Sequence, residues 1–441
     1  MRYSETVTVS KLPNGLTVVT DTVPNSTVLY AYINAFTGGQ HDPLDKSGLA
    51  HLSEHMIGYG VPGFTGDQLD AINDDRLLLE HNKRTDGKAT EYFAYGDPVD
   101  VDNYLTEMAT AITALAYDQE ALDIEKGRIK NEILNAYQNI NRQDPIMAGR
   151  ALYGNGMLSR TAGGTIEGFD NVSLADVRKH HAGMHVANNM FLLATGCWTH
   201  DQTLAWAEKN LAHLEEGKRN PQPYSPFNIS DIWLPREGHN LVSALVMFPI
   251  PTTWEKSRSE FSVIWKILKP VFNKIANKHG LYGLYNGRDY AHPAMPYFTI
   301  SANCAPKQWG LIISETMNFL DTCDDLIRSN GRSAADYMHK YYTMDFNAKY
   351  SALPYRHDNI RLNMSFLNDP FAQDGFIKGC LEVDPEYLVR LLRQTLSQNP
   401  ATFYTGAIQD CLPTGRDIMM RNIIDPSGHM VRRSSFSPNP S

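Results

Sequence analysis

The sequence predicts an α+β protein of two structurally similar domains, each a mostly antiparallel sheet flanked by helices. Three observations lead there. At 441 residues the chain exceeds what one hydrophobic core usually supports, so two domains of roughly 200 residues each are expected. From Glu215 to Trp233 three prolines and a run of polar residues interrupt all periodicity, as a linker would. Beyond that break the order of strands and helices starts again, as it would in a duplicated unit. The expected division is therefore a first domain at 1–214, a linker at 215–232, a second domain at 233–431 and a disordered tail at 432–441.

Strands open the chain at Thr6 to Val9 and, past the turn Pro13-Asn14-Gly15, at Leu16 to Thr20, followed by the apolar run Val28 to Phe36. Ser47 is placed to cap a helix entered through Gly48, in which Leu49, Leu52 and Met56 recur at helical spacing. Leu77 to Leu79 and Thr90 to Tyr95 read as a strand pair, and helical patterns follow over Asp102 to Tyr117 and Gln119 to Gln138. Ser173 and Asp176 form a capping box before another helix, and Met190 to Gly196 is apolar enough for a buried strand. After the linker come a strand at Asn240 to Pro249, a helix at Ser257 to Ile275 and strands around Tyr297 to Asn303.

With 42% hydrophobic and 20% charged residues the composition is that of a globular protein. A net charge of −9 without a Lys/Arg cluster argues against nucleic acid and anionic membranes as partners. The opening MRYSETVTVSKLPNG has neither the apolar core of a secretory signal nor an Arg-rich transit pattern, and no apolar run reaches spanning length. Five cysteines at wide, patternless spacings fit reduced thiols in a cytoplasm better than a disulfide framework.

The chemistry is concentrated at His51-Leu-Ser-Glu54-His55. Two imidazoles at i and i+4 share one helix face, about 5–6 Å apart at Cβ, close enough to grip one metal ion. Glu54 stands beside them without having to be a ligand, which suits a general base. A catalytic zinc takes a third protein ligand, and Glu125 and Glu132 offer carboxylates two helical turns apart on one face. Charged helices more often simply face solvent, so spacing alone leaves the third ligand open. His180, His181 and His185 form another local cluster, but with no carboxylate trio nearby.

The stretch L12-P-N-G-L-T-V-V19, then G39-Q-H-D-P43 and G48-L-A-H-L-S-E-H-M56, resembles in order and spacing the opening of the pitrilysin/insulinase family of inverted zincins, in its short, mitochondrial-processing-peptidase-like branch. Asn82-Lys-Arg-Thr85 with Thr90-Glu-Tyr92 is similar to the family's N-A-x-T…T-x-Y strand region, and Glu125…Glu132 to its paired-glutamate helix. The likeness is close over residues 5–215 and loose thereafter. It implies a zinc metallopeptidase with one Zn2+ on His51, His55 and Glu132, Glu54 as general base and Glu125 orienting a ligand. It also implies that Asn82, Lys83 and Thr85 lie on an exposed strand edge to which a peptide substrate adds.

Departures bear on function. Lys83 stands where the family has Ala, and the segment after Met56, I-G-Y-G-V-P-G-F, is richer in glycine. The family's substrate-gripping Arg and Tyr are replaced by Ala276 and Gly283, with Tyr282, Tyr285 and Arg288 nearby. The missing pair implies a heteromer whose second, homologous subunit lacks the zinc motif but carries the Arg/Tyr pair; the rival is a homodimer. A different class of function, a non-catalytic scaffold or peptide-binding subunit of the same fold, is also known among such proteins. Glu54 beside all three implied ligands favours the enzyme, because a scaffold has no use for a base.

Overall fold

The computed structural model describes residues 3–281, 284–289, 295–408, 412–421, 423–424 and 430–431. The expected tail at 432–441 lies outside them. The chain divides into two compact units, one of residues 1–140, 160–223 and 346–374, the other of 141–159, 224–345 and 375–441. Residues 215–230 form no helix or strand.

The first unit holds a six-stranded sheet of β1 (Val7–Lys11), β2 (Thr17–Thr22), β3 (Leu29–Ala35), β4 (Leu78–Thr85), β5 (Thr90–Gly96) and β6 (Met190–Gly196), in the order β1-β2-β6-β3-β5-β4. All neighbours are antiparallel except β2 and β6. Central β3 and β6 are buried along their whole length, which is why both read as apolar runs rather than alternations. Edge strand β4 is longer than the expected Leu77 to Leu79: its continuation Glu-His-Asn-Lys-Arg is polar because it lies at the rim, and a bulge between Leu78 and Glu80 breaks its alternation.

Four helices of this unit matter for the site: α1 (Leu49–Ile57), α2 (Gly66–Asp74), α3 (Pro98–Ala114) and α4 (Gln119–Gln138). Helix α3 begins earlier than expected, because Asp97 caps the amide of Val99 and Pro98 fits the first turn. Its Val101, Leu105 and Met108 join Trp206 and Leu211 of the helix His200–Leu211 against the sheet. Helix α1 is held in a second cluster, where Leu49, Leu52 and Met56 meet Leu122, Ile129 and Ile133 of α4 and Val177 of the helix Leu174–Met184. The other face of the sheet receives the helix Leu353–Leu367, through Arg356 on Asp21, His357 on Thr195 and Arg361 on Glu91.

The second unit holds a five-stranded sheet of β7 (Asp231–Pro235), β8 (Val242–Pro249), β9 (Leu284–Asp289), β10 (Tyr297–Cys304) and β11 (Ala401–Gly406), in the order β7-β11-β8-β10-β9. Again only one pair, β7 and β11, is parallel. The helices Trp254–Lys278 and Pro306–Leu320 cover it through Phe261, Ile264, Leu268, Trp309 and Ile313. The α+β class with two mostly antiparallel sheets is the one expected from sequence.

Candidate metal and catalytic site

Helix α1 is entered through Gly48 in the left-handed region (φ 94°), where a Cβ would lie 2.9 Å from the Gly163 carbonyl oxygen. Ser47 does not cap it, contrary to expectation. The buried carboxylate of Asp42 takes that role, accepting from the amides of Gly48 at 2.7 Å and Ala50 at 3.0 Å, while the Ser47 hydroxyl lies 3.2 Å from that of Thr165. Two bonds to one carboxylate from inside the core hold the helix more firmly than a single neutral hydroxyl would. Burial pushes the Asp42 carboxyl up to about 7, against the pull of those amides and of Arg160. Nothing in its local spacing marks Asp42 as a cap, since it reaches the helix across a turn.

The two imidazoles of α1 stand edge to face with ring centroids 4.8 Å apart. Glu132 of α4 joins them: its carboxylate is 3.6 Å from His51 Nε2, and one ligand atom from each of His51, His55 and Glu132 lies within 4.8 Å of the others. Among the described residues no other group of three metal-ligating side chains converges in this way. Glu132 is exposed and His51 and His55 half-buried, so the cluster opens to solvent on one side. Burial, then the neighbouring His55, lowers His51 to about 3. His55 is raised: burial alone would depress it, but its hydrogen bond to Glu125 and the charges of Glu54, Glu125 and Glu132 outweigh that.

Glu54 is buried next to the pair, 3.9 Å from His51 Nε2. Burial raises its proton affinity, and His55, Lys83 and a hydrogen bond with the Thr85 hydroxyl work the other way. Glu125, also buried, places Oε2 2.7 Å from His55 Nδ1 and takes the Tyr59 hydroxyl at 2.7 Å and Arg128 at 2.6 Å on Oε1. Burial pushes Glu125 up, yet these three donors bring its carboxyl below the usual range. Tyr59 and Arg128 escaped the sequence reading; the signal was the spacing Glu125, Arg128, Glu132 on one helix face, with Tyr59 four residues past His55.

On β4 the alternation of a strand sorts the remaining residues. Thr85 and Lys83 are half-buried and act on Glu54, whereas Asn82 is exposed and its side-chain oxygen accepts the amide of Lys83 at 2.8 Å. The sheet thus brings Lys83 and Thr85 to α1 and turns the Asn82 side chain away. In the second unit Ala276 is buried in the core, and Tyr282 and Gly283 lie outside the described residues. Tyr285 and Arg288 fall on β9 opposite Ser301 and Phe298, their side chains likewise outside the described set. His180, His181 and His185 turn out to be core residues: Thr37, Tyr117 and Tyr92 hydroxyls lie 3.3, 2.9 and 2.8 Å from them in turn.

The family model that matches is the Peptidase M16 inactive domain. It covers residues 171–325, so the cluster at His51, His55 and Glu132 lies outside the matched stretch. The chain is similar to the mitochondrial-processing peptidase subunit beta of Saccharomyces cerevisiae, at 23% identity over 48% of this chain and 46% of the relative. It is similar also to an uncharacterized zinc protease of Rickettsia felis, at 25% identity over 49% of this chain and 52% of the relative. The chain spans about half the length of the curated relatives it matches. In fold it is similar to the crystal structure of a protease from Helicobacter pylori, with a TM-score of 0.76 and 17% identity, covering 91% of this chain and 99% of that one. No helix among the described residues is long and apolar enough to cross a membrane.

Proposed function

We propose that this chain is a zinc metallopeptidase of the H-x-x-E-H type, zinc-bearing subunit of a short-branch heteromer, with His51, His55 and Glu132 as ligands and Glu54 as general base. The observation that carries the reading is the meeting of a two-imidazole, one-carboxylate set from α1 and α4 with a buried carboxylate 3.9 Å from His51 Nε2. That donor set suits catalytic zinc, which takes three protein ligands of this kind and keeps a fourth position open. With Nδ1 given to Glu125, His55 has Nε2 left for a metal. Zinc supplies Lewis acidity at such a site. Glu54, its charged form disfavoured by burial, takes a proton from the attacking water and returns one to the leaving amine nitrogen. A peptide adds as a strand along the edge of β4 past Asn82, Lys83 and Thr85, held by main-chain pairing that makes few sequence demands. The free cysteines Cys197, Cys304, Cys323 and Cys380 suit a cytoplasmic setting.

A second reading, a non-catalytic scaffold or peptide-binding subunit, is favoured by the matching family model, which describes an inactive domain. Glu54→Gln separates the two. The variant should keep about one zinc per chain and lose peptide hydrolysis by at least about 100-fold. Hydrolysis at the parental rate rules out Glu54 as the base, and a parental protein that takes up no zinc rules out the site. The partner is a homologous subunit lacking the zinc motif but carrying an Arg/Tyr pair; the pure chain should bind zinc and cleave unstructured peptides weakly until that subunit is added. Full activity from the chain alone refutes the heteromer and moves attention to Tyr282, Tyr285 and Arg288 in a homodimer.

A further inference from the structure

The segment that follows the histidine motif has no role in the reading above, yet it ends on the site. Helix α1 stops at Ile57, and the turn Gly58-Tyr59-Gly60 is held by hydrogen bonds from its backbone amides to the carbonyl oxygens of His55, Met56 and Ile57. Gly60 is obligatory, because a Cβ there would come within 2.7 Å of the Ala111 carbonyl oxygen of α3. The turn throws the Tyr59 ring toward α4, where its hydroxyl donates to Glu125 Oε1 at 2.7 Å. Arg128, one turn further along α4, donates to the same oxygen at 2.6 Å and lies 3.3 Å from the tyrosine hydroxyl. The opposite oxygen, Oε2, faces His55 Nδ1 at 2.7 Å.

The two imidazoles are therefore held unequally. His51 Nδ1 is buried and, among the described residues, has no hydrogen-bond partner, so nothing on that side fixes its ring through a hydrogen bond. The orientation of His55 depends on Glu125, and Glu125 depends on two donors gripping its far oxygen. A carboxylate free to rotate about its last torsion would present Oε2 to His55 only part of the time.

We propose that Tyr59, with Arg128, is a positioning residue of the metal site: it locks Glu125 so that this carboxylate holds His55 in one tautomer and one ring orientation, with Nε2 directed at the metal. Outer partners of this kind commonly change metal affinity by about 10–100-fold. The inference rests on the zinc reading above, and its test separates the two.

Zinc affinity is measured by competition with a chromophoric chelator on the full chain, alongside the d–d spectrum of the cobalt-loaded protein. Tyr59→Phe, which loses only the hydroxyl, should weaken zinc by about tenfold and shift the cobalt bands, and leave the unfolding midpoint of the metal-free protein unchanged. Arg128→Lys, which keeps the charge, should fall between Tyr59→Phe and the parent. Tyr117→Phe removes a buried hydroxyl of the same cluster that serves His181 instead, so it should leave zinc affinity and the cobalt spectrum as they are. Parental affinity and spectrum in Tyr59→Phe overturn the proposal, as does an equal loss in Tyr117→Phe, which would reduce the effect to general packing. A parent that binds no zinc overturns the metal reading itself and the positioning role with it.

Discussion

The two sheets are the same design used twice. Matching β2, β6, β3, β5 and β4 with β7, β11, β8, β10 and β9 reproduces both the spatial order and every strand direction, including the one parallel pair; among the described residues the first sheet adds β1. In each unit the connection from the third matched strand to the edge strand is helical: α1 and then α2 in the first, Trp254–Lys278 alone in the second. What they bury differs. Helix Trp254–Lys278 turns Phe261, Ile264, Leu268 and Phe272 into an apolar core, whereas α1, besides Leu52 and Met56, buries Glu54 and is capped by buried Asp42. A sheet that needs only stability fills its helix interface with hydrocarbon. One that buries carboxylates at the same place bears an electrostatic cost, offset for Asp42 by the two amides it caps and, for Glu54, in keeping with the role proposed for it.

That contrast predicts where each unit is vulnerable. In the first, Arg356 meets Asp21 with both side chains buried, Nε donating at 2.6 Å and the outer nitrogen to the other oxygen. Arg356→Ala leaves Asp21 buried without its cation and should cost about 3–5 kcal/mol. In the second, Arg328 lies on the surface between Asp325 and Glu386, so Arg328→Ala should leave the unfolding midpoint almost where it is. Denaturant unfolding of both variants checks this; equal losses would erase the distinction.

The next effect is in pH. His180 and His185 are lowered to about 3 and about 4, and His181 well below its usual range, by burial first and then mutual repulsion in the cases of His180 and His181. They face Thr37, Tyr92, Tyr117 and one another, and among the described residues no carboxylate is hydrogen-bonded to them. Folded, they stay neutral; unfolded, they protonate below about 6.5. Stability from this source is complete above about pH 6.5 and falls as the pH drops toward 4, on the order of 1 kcal/mol per pH unit for each histidine. Urea midpoints of the chelator-treated protein at pH 7.5 and 5.5 should differ accordingly, and His185→Gln should flatten the slope. No difference in the parent would mean the three rings are not buried as a set.

Much of this was legible in the sequence, and the rest was hidden for identifiable reasons. The apolar runs of β3 and β6 and the periodicity of α1 and α4 report burial residue by residue, so they could be read directly. The rim strand β4 could not, because an exposed edge carries no apolar pattern. Asp42 as a cap and Tyr59 as a clamp depend on turns that bring side chains to a helix from outside its own repeat. Least visible was the pairing of Arg356 with Asp21 across 335 residues, which attaches residues 346–374 to the first unit although they follow the proline-rich break.

The smallest expected effect concerns Lys83, on the edge strand that β9 matches in the second unit. Its ammonium would lie 3.5 Å from a Cβ built on Gly58, at the end of α1, and its charge reaches both Glu54 and His81. Among the described residues it has no ion pair, unlike Arg84 next to it, which is tied to Glu91. A half-buried cation without a fixed partner, beside the carboxylate proposed as base, would be available to an acidic group on a peptide bound as proposed above. Because the group is partly solvated, its contribution is modest, up to about 1 kcal/mol. Lys83→Ala should therefore lower kcat/KM severalfold for peptides with Asp or Glu beside the scissile bond and by less than about twofold for neutral ones, measured with the same zinc-loaded, partner-supplemented enzyme. Lys83→Glu should reverse the preference toward basic residues. An equal change for acidic and neutral peptides would show that Lys83 acts on Glu54 rather than on the substrate, and the edge strand would then supply main-chain pairing without charge selection.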